Sequence, residues 1–212
     1  VALIRHFKQT LRKLGLQGRI IGADVSEDAP AFHVVDRACK ICRIDDPRYI
    51  DTLLAICCKE NISMLFPLID TDLMLLAKNK GKFTDIGTTA VISDPQIIDI
   101  ALNKYKTHDF FVAKGIDTPR VFDITAVLNA EAGEYPLFMK PLDGNASKGI
   151  VKIRDKNELL FFKNYVSRPL LQEYLHGAEY TLDIFYDFNG RPRCLVPRKR
   201  IEVRSGEVSK AV

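Results

Sequence analysis

The chain has 212 residues, 47% hydrophobic and 27% charged, with a formal net charge of +4. This balance suits a globular chain long enough for two compact units, and no apolar run approaches the roughly 20 residues of a membrane-spanning helix. Basic residues are scattered among acidic ones, with Arg198-Lys199-Arg200 the tight cluster, so neither nucleic acid nor a membrane is an expected partner.

Leu3, Phe7, Leu11 and Leu14 form a helical stripe that Gly15 is placed to stop. Strands are expected near Ile20 to Val25 and Ala38 to Ile44. Asp46-Pro47 then supplies a cap and a first-turn proline for a helix carrying Ile50, Leu53, Leu54 and Cys57. Met64 to Leu68 reads as the next strand, 70–79 as a helix, and Thr89 to Ile92 with Asp94-Pro95 repeats the pattern. This alternation predicts a parallel sheet with helical layers over residues 1–103. A doubly wound unit normally has a strand before its first helix, so residues preceding Val1 are expected to be disordered or absent. Asp24, at a strand end, has a weak ligand reading beside a capping one.

The cysteines sit in apolar segments, which predicts buried free thiols in a reducing, cytoplasmic compartment. Cys39 and Cys42 have metal-compatible spacing, but no partner pair follows at a suitable distance. Core cysteines are the plainer reading, a redox pair the next.

A second unit starts with a helix at 103–114, closed by Gly115, then a short strand at Arg120 to Phe122 and a helix from Thr125. Leu137, Phe138 and Met139 form an apolar run ending at Lys140, and Ile150 to Ile153 reads as a neighbouring strand. The loop between them is bounded by Gly144 and Gly149. Its amides and the Lys140 ammonium could close over phosphate oxygens, or it is an ordinary hairpin with a solvated Lys148. Asp155 is placed to cap the helix of Leu159, Leu160, Phe161 and Tyr165. Glu179 to Phe185 alternates as an antiparallel strand, and Asp187-Phe-Asn-Gly190 signals a hairpin returning along Arg193 to Ile201. The sheet so formed could not easily bury both faces, so a further carboxyl-terminal portion is expected.

Four segments in order carry a resemblance over 86–200: Asn103-Lys-Tyr-Lys-Thr107; Gly115-Ile-Asp-Thr-Pro119; Phe138-Met-Lys140 with Gly144-Asn-Ala-Ser-Lys-Gly149; and Gln172-Glu-Tyr-Leu-His-Gly-Ala-Glu179. Together they resemble the ATP-grasp superfamily, especially carbamoyl-phosphate-synthase-like carboxylate-amine ligases, and residues 1–85 resemble the domain that precedes ATP-grasp in such enzymes. The resemblance implies an α/β fold: a parallel pre-ATP-grasp sheet over 1–103, an α+β lid over 104–172, and an incomplete antiparallel domain over 173–212.

It also implies tasks. Lys104 and Lys140 resemble the two phosphate-binding lysines, since a flexible ammonium offsets phosphate charge. Gly144, Ser147, Lys148 and Gly149 resemble the lid over the β- and γ-phosphates, with Ala146 where glycine is common. The Walker A order is absent. Glu173 is implied to accept from the adenine amino group, the backbone at Tyr174 and Leu175 to read the ring edge, and Glu179 to accept from ribose hydroxyls. His176 reads as a turn residue rather than a base. The expected partners are ATP with Mg2+, a carboxylate and an amine, with a homodimer as the candidate assembly. Acidic metal ligands are expected on later strands, not at Glu202 or Glu207, so this portion is expected to be inactive alone. A non-catalytic nucleotide-binding or regulatory ATP-grasp module is the alternative. Arg198 and Arg200 either face the cleft or form a solvated cationic strand.

Overall fold

The computed structural model describes residues 1–131, 133–142, 149–204 and 207–212, with backbone alone at 203, 204 and 207–209. They form two compact units, Val1–Ile98 and Asp99–Val212.

In the first unit, helix α1 (Ala2–Lys13) ends as its glycine requires. Gly15 adopts φ +67°, its N–H bonds the Arg12 carbonyl, and Leu16 N–H reaches back to Leu11. Strands β1 (Ile21–Asp24) and β2 (Arg37–Lys40) pair in parallel, Ile21 opposite Arg37. Asp24 Oδ1 accepts from Ser26 N–H at 2.9 Å, which is the capping role. The expected Asp46 cap is corrected. Helix α2 (Tyr49–Glu60) starts after Arg48, and Asp46 instead binds the Arg48 N–H and guanidinium, which draws its carboxyl down to about 2.

Strand β3 (Met64–Leu65), helices α3 (Asp70–Lys78) and α4 (Lys80–Asp85), and strand β4 (Thr89–Ala90) follow, with β3 and β4 parallel. Helix α5 (Pro95–Leu102) spans the division. Tyr49, Ile50, Leu53, Cys57, Leu76, Phe83 and Ala90 form the core. The expectation of five buried thiols is also corrected. All five are free, Cys57 is buried, Cys39 and Cys42 are half-buried, and Cys58 and Cys194 are exposed.

In the second unit, Asn103 caps helix α6 (Lys104–Ala113), accepting from the N–H groups of Tyr105 and Lys106. Strand β5 (Val121–Phe122) leads to helix α7 (Ile124–Asn129), capped by Asp123. Strands β6 (Leu137–Pro141) and β7 (Val151–Ile153) precede helix α8 (Lys156–Tyr165), where Asp155 caps Glu158 N–H as expected. Strand β8 (Pro169–Glu173) completes an antiparallel sheet of order β5-β8-β6-β7.

A second antiparallel sheet contains β9 (Tyr180–Tyr186), β10 (Pro192–Arg204) and β11 (Glu207–Ala211), the last not foreseen. In the hairpin only Gly190 has a positive φ (+72°), and Gly190 N–H bonds the Asp187 carbonyl. The turn is therefore a longer loop closed by one left-handed glycine, not a two-residue Asn-Gly turn. Among the described residues no helix is long and apolar enough to cross a membrane.

Candidate functional site

The four-stranded sheet has two unlike faces, and strand alternation sorts its residues between them. Leu137, Met139, Ile153 and Leu171 pack with Leu159 of α8 and Val127 and Leu128 of α7. Phe138 and Lys140 alternate with Leu137 and Met139, so they face away from the helices. Register puts Gln172 and Lys152 on either side of Phe138, on that same opposite face.

Lys140 is half-buried there, its Nζ 6.0 Å from the Phe138 ring centroid. Burial pushes its ammonium below the usual lysine range, and the charge of Lys104 pushes it further. Among the described residues no carboxylate is paired with Lys140. Lys104, at the start of α6, donates from Nζ to the Leu142 carbonyl at 2.8 Å, just beyond the end of β6. Two lysines far apart in sequence thus converge, an arrangement whose mutual repulsion a polyanion relieves.

Gly144, Ser147 and Lys148 lie outside the described residues. Gly149 adopts φ +72°, and a Cβ there would meet Pro141 Cγ at 3.4 Å, so this entry to β7 is made for glycine.

At the end of β8 the faces separate neighbouring side chains. Glu173 lies opposite Leu137, on the helical face. Its Oε2 accepts from Arg120 N–H at 3.3 Å and Nε at 3.4 Å, while Arg120 Nη2 also meets Glu134 at 2.6 Å. Gln172, 6% exposed, lies on the Lys140 face instead. Sequence reasoning quoted Gln172 without assigning it a task. Alternation along β8 is the signal that separates it from Glu173. Lys152 was also passed over.

Tyr174 packs its ring 6.4 Å from Phe138 and 4.8 Å from His176, with Lys152 Nζ 4.0 Å from its centroid. Leu175 is exposed. Glu179, just before β9, pairs its Oε2 with Arg200 Nη1 at 3.1 Å, and its carbonyl accepts from Arg200 N–H at 2.8 Å. Arg200 Nε is buried with no hydrogen-bond partner among the described residues. Arg198 Nε donates to Asp183 at 2.6 Å. Both arginines therefore cross-link the antiparallel sheet.

The described residues hold no cluster of three or more His, Cys, Asp or Glu side chains placed for a metal ion, Cys39 and Cys42 included. An open groove of about 580 Å3 in the first unit, lined mainly by residues of β2 and α2 with Cys39 among them, contains none of the nucleotide-site candidates. Several of its charged walls are paired, Arg37 with Glu60, Lys40 with Glu27 and Arg48 with Asp46.

Comparison with known proteins adds to this geometry. Residues 1–92 match the model described as PylC-like, N-terminal domain, and residues 101–211 match the ATP-grasp domain. The D-alanine–D-alanine ligase of Bacillus anthracis is 26% identical over 164 residues, which cover 68% of this chain and 53% of that protein. The biotin carboxylase domain of Hydrogenobacter thermophilus 2-oxoglutarate carboxylase, in complex with MgADP, ADP and bicarbonate, superposes with TM-score 0.70 at 16% identity, over 97% of this chain and 49% of that one. The L-amino acid ligase of Bacillus licheniformis superposes with TM-score 0.67 at 20% identity, over 91% of this chain and 46% of that one. Likeness at these structural identities concerns the fold. The chain spans about half the length of these relatives.

Proposed function

The chain belongs to the ATP-grasp family, and on that footing we propose that it forms the nucleotide-holding part of an ATP-dependent carboxylate-amine ligase. The observation that carries the reading is the approach of Lys104 to Lys140 at the end of β6, with Lys140 on the sheet face opposite α7 and α8. A half-buried ammonium depressed by burial and by a second cation gains most from a ligand bearing several negative charges. The resemblance to ligases of D-alanine and of L-amino acids favours a carboxylate and an amine as the other substrates.

In this reading Lys140 and Lys104 hold the phosphates, and the backbone at Tyr174 and Leu175 meets the purine edge. Gln172, on the same face, offers an amide to the base; the Glu173 carboxylate faces the helices and is held by Arg120. Glu179 takes the ribose hydroxyls while Arg200 keeps its carboxylate oriented. The reaction consists of two displacements. A carboxylate oxygen attacks the γ-phosphorus and ADP leaves; the amine nitrogen then attacks the acyl carbon and phosphate leaves. Magnesium would accompany the nucleotide's phosphates and offset their charge.

Two measurements test this. Calorimetric titration with magnesium-ATP and magnesium-GTP should favour ATP, because the 6-amino and 6-oxo groups present opposite hydrogen bonds to a fixed backbone. Equal affinity would remove the base-reading role. In the protein that carries this chain, a carboxylate screen with hydroxylamine should yield hydroxamate together with ADP. ATP binding without hydroxamate or ADP from any carboxylate would point to a binding module instead.

A further inference from the structure

The base-reading role rests on a short backbone segment, residues 173–175, and side chains from both faces hold that segment in place. On the helical face Glu173 is tied to the Arg120 N–H and guanidinium. On the open face Tyr174 is surrounded by Phe138, His176 and Lys152. At 4.0 Å from the ring centroid, the half-buried Lys152 ammonium makes a close cation–π contact. It stands directly across from Phe138 in the β6–β7 register, and Lys140 lies two residues beyond Phe138 on the same face. Engaged in this way, the Tyr174 ring acts as a tether for its own backbone. Lys152 belongs to β7, the strand that carries the chain out of residues 143–148, so the contact joins that strand to the base-reading segment.

We propose that Lys152 is a positioning residue for nucleotide recognition, holding the backbone of residues 173–175 against a purine edge by its grip on the Tyr174 ring. The proposal rests on the nucleotide reading above and adds to it a residue that touches neither phosphate nor base. Its signature follows from that indirectness. Adenosine, ADP and ATP share one purine edge, so loosening the segment weakens all three by the same factor. A lysine in contact with phosphate would instead show a loss that grows along the series.

The test is calorimetric titration of the folded protein that carries this chain with adenosine, ADP and ATP, using the unaltered protein, Lys152→Met, Lys152→Arg, Tyr174→Leu and the double variant Lys152→Met/Tyr174→Leu. Lys152→Met should lose about 2–30-fold in affinity, equally for the three ligands. Lys152→Arg, which keeps a cation over the ring, should stay within about twofold of the unaltered chain. The double variant should be no weaker than Tyr174→Leu, because both changes remove one contact. Unchanged binding by Lys152→Met, a loss confined to ADP and ATP, or full additivity would each overturn the assignment. If Lys152→Met does not fold, Tyr174→Leu reads the same contact from its other partner, and an equal loss across the series remains the required result. Failure of the unaltered protein that carries this chain to bind any of the three removes the nucleotide reading and this assignment together.

Discussion

Asp72 and Lys140 are charged side chains held partly or wholly out of water, one in each unit, and their surroundings differ in kind. Asp72 is buried in the first unit and accepts from the Tyr49 hydroxyl at 2.8 Å. Burial, and then that bond, push the Tyr49 phenol upward. Glu60, with a side chain only 3% exposed, likewise meets Arg19 at 3.4 Å and Arg37 at 3.0 Å. In the second unit Lys140 has no carboxylate partner among the described residues, and the charge that influences it is that of another lysine. The first unit closes its buried polar groups on one another, which makes them part of the scaffold. The second leaves a cation at a protein surface at some cost, which is how a binding face differs from a core.

The strongest way to probe the scaffold side is Phe83→Ala. Phe83 is fully buried in the first core, so its truncation should cost about 3–5 kcal/mol in urea unfolding of that unit. A loss under about 1 kcal/mol would mean that this core is not packed as described.

Lys140→Met probes the other side. It should weaken ATP binding by about 10–150-fold, equivalent to roughly 1.5–3 kcal/mol for a hydrogen bond to a charged group. The unliganded variant should unfold at an unchanged or higher urea concentration, since the substitution removes a charge that burial disfavours. Destabilisation with unaltered ATP affinity would move Lys140 to the scaffold side and erase the contrast.

Tyr49→Phe should do the reverse. It leaves buried Asp72 with Thr71 Oγ1 at 3.4 Å and no phenol, for a loss of about 1–3 kcal/mol in stability. Nucleotide affinity should not change, and a drop in affinity without loss of stability would contradict the division of roles.

The smallest effect is a proton. The folded-state pKa of Lys140 is lowered, so the unfolded chain holds that proton to higher pH. Its contribution to the stability of the unliganded chain therefore rises with pH from the depressed folded value up to the ordinary value near 10.5, and is flat outside that window. Phosphate beside the ammonium raises the pKa again, so ATP binding at alkaline pH should take up protons. Calorimetry in two buffers of different ionisation enthalpy should register that uptake, and Lys140→Met should abolish it.

Much of the molecule was legible from local chemistry. Gly15 and Gly115 stop their helices, Asn103 and Asp155 cap theirs, and the hairpin turns at Gly190. Each depends on a few neighbouring residues whose preferred backbone angles and short hydrogen bonds act within one turn. The strand-helix alternation and the four ordered segments that led to ATP-grasp belong to the same class of signal. Asp46 marks where such reasoning misleads: the Asp-Pro pair forms a turn, its carboxylate is held by Arg48, and the helix starts later.

What the tertiary structure alone decided is which groups share a face. Gln172 and Glu173 are adjacent, and a period of two says that they diverge without saying which one joins Lys140. The answer comes from the pairing of β8 with β6, which sets Gln172 opposite Phe138 and Glu173 opposite Leu137. The meeting of Lys104 with Lys140, and the seat of Lys152 on Tyr174, likewise join residues from separate elements. Caps and turns are short-range and leave their mark in neighbouring letters. Register is fixed by the burial of a whole sheet face against α7 and α8, an energy summed over many distant residues that no single segment records.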